Sequence, residues 1–112
     1  DIISCSMEDV IDANIFVDRL KKLIAPIDAK DEVIVLADIF GGSPLTKTIN
    51  TLSSRGLLPI TNAFGGMNLA MALTAAMGTD EDLPTLCEGI LAEGKAAVRE
   101  MSLSFDEDDE DI

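Results

Sequence analysis

Asp38 closes the run Val33-Ile34-Val35-Leu36-Ala37 and is followed by Ile39-Phe40-Gly41-Gly42-Ser43-Pro44, so a carboxylate stands beside a glycine pair. Paired glycines let backbone N–H groups approach a ligand with no Cβ in the way, and a helix N-terminus behind them favours negative charge. A phosphoryl group is the natural guest of such a loop. The pattern recurs 24 residues later, where Phe64-Gly65-Gly66-Met67-Asn68-Leu69 shares F-G-G-x-x-L with Phe40-Gly41-Gly42-Ser43-Pro44-Leu45. Neither loop carries the Gly-Lys-Ser/Thr of a nucleoside triphosphate loop or the G-x-G-x-x-G of a dinucleotide site, which disfavours nucleotide binding. The competing reading is that the four glycines only turn a strand tightly into the next helix.

A carboxylate at the end of a buried strand must be satisfied, and Asp38 either caps the following helix or holds a functional partner such as an imidazole N–H. Phe40 and Phe64 are lids or core residues, and Met67, Met71 and Met77 are packing rather than part of a cofactor box. The chain contains no histidine, which removes the commonest general base, the usual zinc ligand and a phosphohistidine made on these residues. Ser43 lies near Asp38 but needs an activating base that is missing. Cys5 and Cys87 match no C-x-x-C or metal spacing and read as reduced core thiols, neither placed beside Asp38. No cofactor and no metal site is expected.

Stepping along the chain, the run at 33–37 is the kind buried on both faces of a parallel sheet. Before it, Ile11, Ile15, Leu20, Leu23, Ile24 and Ile27 recur at helical spacing, with Asp9 or Asp12 as cap and a stop near Pro26. Residues 2–7 would form a short preceding strand. After Asp38, Ser43 suits a helix cap and Pro44 the first helical position, with Leu45, Ile49 and Leu52 buried and Gly56 ending the helix. Residues 57–62 read as a further strand, Pro59 being tolerated near its beginning. An Ala- and Met-rich helix follows and ends at Gly78. Another, over 82–94, buries Leu83, Leu86, Ile90 and Leu91 after Asp80-Glu81-Asp82. Residues 98–103 would be a final edge strand. Alternating strands and helices imply a wound α/β sheet whose ligand sites lie outside the carboxyl ends of the strands, so both glycine loops should meet at one rim.

The 112 residues suit a single domain, and a hydrophobic content of 47% excludes global disorder. Acidic residues outnumber basic ones 21 to 8, a net charge of −13. Six of the acids fall within 106–112, and without them the net is −7. Such a polyanion repels nucleic acid and anionic lipid at long range, so neither is expected as a partner. The acidic run lacks the spacing and turn glycine of a calcium loop and reads as a solvated tail. No apolar run is long enough to span a membrane and the acidic start is no signal peptide, which points to the cytoplasm.

Residues 33–44, with the D-x-x-G-G-S/T-P signature, and 62–71, with G-x-N-x-x-M, together resemble the mannose-type IIA component of the bacterial phosphoenolpyruvate-dependent sugar phosphotransferase system. The resemblance covers the order of elements from residue 1 to about 103. It implies an α/β fold: a three-layer, mostly parallel wound sheet with helices on both faces and an antiparallel C-terminal edge strand, residues 98–103, exchanged in a homodimer. Residues 1–105 would be this domain and 106–112 the acidic tail. The implied activity is phosphoryl relay from the histidine phosphocarrier protein to a IIB component, with the membrane IIC and IID components met only indirectly. Asp38 would be the carboxylate orienting the phosphorylated imidazole. Gly41, Gly42 and Ser43 would line the phosphate pocket, with Gly66, Met67 and Asn68 in the second loop beside it. In the family the acceptor histidine follows a strand that precedes the counterpart of residue 1, in a strand–helix unit of roughly thirty residues. That strand would lie beside residues 2–7 and 33–37, so residues 1–112 are not expected to fold alone or to transfer phosphate unaided. The alternative is a regulatory or dimerisation module of the same fold. Which sugar is served is not written in these residues.

Overall fold

In a computed structural model of the chain, residues 2–5 and 12–103 are described. Helix α1 covers Ala13–Ile24 and starts where Asp12, in extended conformation, accepts the Asn14 N–H at 2.8 Å. Its core face is Phe16, Leu20 and Ile24. Phe16 thus takes the place expected of Ile15, which is 48% exposed: positions four apart share a face, and Phe16 is in line with Leu20 and Ile24. Lys21 and Lys22 complement the negative end of the helix. The Arg55 guanidinium satisfies carbonyls there, donating to Ile24 O at 3.1 Å and Ile27 O at 2.9 Å.

Strand β1, Val33–Leu36, pairs in parallel with β2, Thr61–Phe64, in the register Val33 with Thr61 and Leu36 with Phe64. Helix α2, Ser43–Ser54, makes the crossover between them. It begins one residue earlier than expected. Gly42 is the cap, its carbonyl accepting from Thr46 N at 3.0 Å, while Ser43 and Pro44 are already helical and no side chain caps the end. At the other end Gly56, at φ +69°, forms a Schellman stop. Its N–H reaches Ser53 O at 2.9 Å, and Leu57 N reaches Leu52 O at 3.0 Å. With the Leu57 N–H so engaged and Pro59 lacking one, residues 57–62 do not form the expected strand. Leu58–Ile60 close a 3-10 turn instead and β2 starts at Thr61.

Helix α3, Leu69–Met77, and helix α4, Leu83–Ala97, follow. Asp82 caps α4, its carboxylate accepting from Thr85 N at 3.2 Å. Leu86 and Ile90 are buried as expected, whereas Leu91, on the outer side of the turn, is 46% exposed. Gly94 is buried because Met71 lies where its Cβ would be: the ideal position is 2.5 Å from Met71 Cγ. Alternation along β1 feeds two apolar clusters. Val35 packs with Phe16, Leu20, Ile24, Leu52 and Leu57, whereas Ile34 and Leu36 pack with Phe64, Met71, Leu86 and Ile90.

The chain is therefore a mixed α/β fold around a small parallel sheet, two-stranded among the described residues. β1 is half-buried rather than buried on both faces. Residues 2–5 form no strand, and Ile2 and Ile3 are exposed, since a strand needs a paired neighbour and the sheet offers them none. Residues 98–103 are likewise not a strand in this single chain, and Val98, Met101 and Leu103 are exposed. Asp9, Ile11 and the acidic tail at 106–112 lie outside the described residues.

Two substitutions check this packing. Ile90→Ala is expected to lower the unfolding free energy by about 3 kcal/mol in denaturant titration, and Leu91→Ala by less than about 0.5 kcal/mol. The bond to Thr85, through side chain and backbone, holds the Asp82 carboxyl below its ordinary value of 3.8. A depressed folded value stabilises above the unfolded one and is lost as pH falls through the folded one. Asp82→Ala should therefore lower Tm at neutral pH, with the gap to the parent protein narrowing as pH falls below the ordinary carboxylate range.

Candidate functional site at the carboxyl ends of the paired strands

Parallel strands in register end side by side, and Leu36 opposite Phe64 puts residues 37–42 against residues 65–68. The two connections are stitched together. Ala37 N donates to Phe64 O at 2.9 Å, and Met67 N donates back to Ala37 O at 2.8 Å. An ideal Cβ on Gly65 would sit 2.5 Å from both Phe40 Cα and Phe40 Cβ, so the second loop rests on the main chain of the first. Both turns also contain a residue in the left-handed region, Gly41 at φ +74° and Gly66 at φ +70°. Only glycine adopts that conformation without strain.

The F-G-G echo does not correspond to equivalent positions. Phe64 is the last residue of β2 and 9% exposed, whereas Phe40 lies four residues past the end of β1 and is 83% exposed. The left-handed residue is the first glycine of one pair and the second of the other. Two stretches with the same letters are threaded differently because the structural partner of Phe64 is Leu36.

The seven expected site residues all lie in or directly beside these two connections. Asp38 is exposed and caps no helix, since the α2 cap is Gly42 with no side-chain bond. A carboxylate left in water does not have to be satisfied by protein, so the capping reading of Asp38 is lost together with the burial that motivated it. Gly41 and Ser43 are exposed, and among the described residues neither of their N–H groups meets an acceptor. The Gly42 N–H instead closes a turn onto Ile39 O at 3.3 Å. In the second loop Gly66 is exposed, while the Met67 N–H is occupied by Ala37 O. Asn68 is engaged at both ends of its amide: Oδ1 accepts from Met71 N at 3.1 Å, capping α3, and Nδ2 donates to Gly94 O at 2.9 Å on α4. The free groups of the rim are thus the Asp38 carboxylate, the Ser43 hydroxyl and main-chain amides at a helix N-terminus.

Below the first loop a cleft of about 310 Å³ runs along α2, lined by Phe40, Gly41, Leu45, Thr46, Ile49, Asn50 and Ala63. It shares Phe40 and Gly41 with the loop, and Asp38 is not in its lining. Neither cysteine belongs to the rim: Cys5 packs on the cluster around Phe16 and Cys87 on that around Ile90. Both thiols are free. Burial, aided by the negative charge of Glu32, pushes the Cys87 thiol up, which suits packing and not nucleophilic attack. No helix of the described residues is long and apolar enough to cross a membrane.

A parallel strand pair ending in two glycine loops over a helix N-terminus defines an α/β protein with a rim suited to an anion. The family model described as the PTS system fructose IIA component (EIIA-man) matches residues 1–90, and the chain belongs to this mannose-type IIA family of the sugar phosphotransferase system (PTS). Among solved structures it is similar to a protein from Klebsiella pneumoniae subsp. pneumoniae MGH 78578 named as a phosphoenolpyruvate-dependent sugar PTS permease. The match has a TM-score of 0.60 at 24% identity and covers 88% of this chain and 67% of that one, a likeness of fold. No curated protein matches.

Gly65 is the residue of the rim that sequence reasoning passed over. Its letter was visible in the second glycine pair, but its meaning lies in Phe40, 25 positions away. Asn68→Ala removes the α3 cap and leaves Gly94 O without its donor, and should cost about 1–2 kcal/mol in equilibrium unfolding.

Proposed function

We infer that the intact protein is a phosphoryl carrier of a sugar-uptake PTS. Its acceptor is a histidine outside these 112 residues, charged by the histidine phosphocarrier protein and discharged to IIB. The observation that supports this is the meeting of the two glycine loops at the strand ends, with Asp38 exposed there and spent on no cap. Membership of the IIA family makes a phosphotransferase role its natural use.

In this reading the Asp38 carboxylate accepts a hydrogen bond from one imidazole N–H. That selects the tautomer whose other nitrogen keeps its lone pair for attack on phosphorus. The P–N bond of the donor phosphohistidine breaks as the new one forms. The donor imidazole keeps the electron pair and takes up a proton, and the acceptor gives one up. Charge on the transferring phosphoryl oxygens is met by the unengaged amides of Gly41 and Ser43 and the positive end of α2, with Gly42 lining the first side and Gly66, Met67 and Asn68 closing the second. Of these, Gly41 and Ser43 have N–H groups in hand, while Gly42, Met67 and Asn68 hold the loops in shape. The protein works as a cytoplasmic homodimer, in which residues 98–103 add an antiparallel edge strand to the partner's sheet and complete a three-layer wound fold.

The test is to incubate the intact protein, with its acceptor histidine, with labelled phosphoenolpyruvate, enzyme I and the histidine phosphocarrier protein. One phosphoryl group per chain is expected, and no label ends the reading. Asp38→Asn, which keeps size and removes charge, should slow labelling by about tenfold to a hundredfold, the usual effect of removing a partner that orients a functional imidazole.

A further inference from the structure

We propose that Gly65 is a positioning residue for phosphoryl transfer: by having no side chain it lets the second loop set the height of the first, and with it the amides that face the phosphoryl group. The inference rests on the phosphoryl-carrier reading above. An ideal Cβ on Gly65 would lie 2.5 Å from Phe40 Cα, 2.5 Å from Phe40 Cβ and 2.8 Å from Phe40 N. These are main-chain atoms and a Cβ, so no rotamer change can clear them; the main chain around Phe40 and that of the second loop must separate. The backbone of Gly65 is not in the left-handed region, unlike that of Gly66. A side chain there is opposed by Phe40 and not by its own dihedral angles. The hydrogen bonds from Ala37 N to Phe64 O and from Met67 N to Ala37 O clamp the two loops on either side of this contact. A wedge between the clamps forces the two loops apart at Gly65 and Phe40, displacing residues 38–42 relative to the second loop and with them the first turn of α2 to which they lead.

Another glycine serves as the control. Gly89, in the middle of α4, has Thr74 Cγ2 at 3.6 Å from its ideal Cβ, an ordinary contact. Gly89→Ala should therefore leave transfer at the parent rate. Gly65→Ala should lower kcat for phosphoryl uptake from the phosphocarrier protein by about tenfold to a hundredfold, as expected of a reacting group misplaced by about an ångström. KM for the donor should change less than kcat, because the displaced amides act on the phosphoryl group during transfer. In ¹H–¹⁵N spectra of the variant the amides of residues 38–43 should shift while those of α1 stay in place. A Gly65→Ala protein with parent kcat, or with loss confined to KM, or one that no longer unfolds cooperatively, would overturn the proposal, the last by making Gly65 a support of the whole fold. Parent protein that takes no label at all would instead defeat the carrier reading beneath it.

Discussion

The in-register parallel pairing of β1 with β2 is the constraint on which the rest of the rim depends. Parallel strands carry their carboxyl ends to the same edge, and a register of Leu36 with Phe64 brings two connections of unequal length into contact. A shift of one residue would turn Val35 from the cluster around Phe16 toward that around Ile90 and exchange Ile34 and Leu36 in the opposite sense. The apolar alternation of four residues thus holds the register. The register in turn decides that Gly65 lies on Phe40 and that Met67 reaches Ala37. Site geometry here is a consequence of core packing one turn below it.

Elements whose signals are local could be read directly. The Asp12 cap, one of two aspartates in place for it, the Gly56 stop and the helical spacing of Leu86 and Ile90 involve residues within a turn or two of each other. Helix positions are set by such neighbours. Where the reading failed, the missing information was a partner elsewhere. Residues 57–62 look like a strand until the Schellman bond of Leu57 and the absent N–H of Pro59 are counted. Residues 2–5 and 98–103 have strand composition and no neighbouring strand to pair with in this chain. Ile15 and Phe16 differ by a rotation of about 100° about the helix, a difference that the tertiary contact with Leu52 resolves and spacing alone does not.

The candidate site divides the same way. The Asp38 carboxylate and the two glycine pairs stand out by letter and position, though not which glycine of each pair is left-handed. Residues that work through contact do not. Asn68 resembles a loop residue free to meet a ligand, yet its amide is committed to α3 and α4. Gly65 and Gly66 are the same letter side by side, but one is glycine because of its own backbone angle and the other because of Phe40. The repeated F-G-G motif even misleads, since it aligns Phe64 with Phe40 where the sheet aligns it with Leu36.

Charge sets the last condition on what this rim can hold. The seven residues of the candidate site include one carboxylate and no cation, on a chain of net charge −13. An anion approaching it meets long-range repulsion and, at contact, only main-chain N–H groups and the end of a helix dipole. Those dipoles fall off within about a turn and are worth about 1 kcal/mol near water, too little to gather free phosphate from solution. They suffice for a phosphoryl group already tethered by a bond to a carrier, because the tether removes the entropic cost of capture and leaves the amides only the task of orienting it. A site poor in positive charge also releases its guest readily. For the proposed relay, which must pass the group onward, weak electrostatic hold combined with precise placement is the arrangement that keeps transfer reversible, and placement is what the clamped glycine loops would supply.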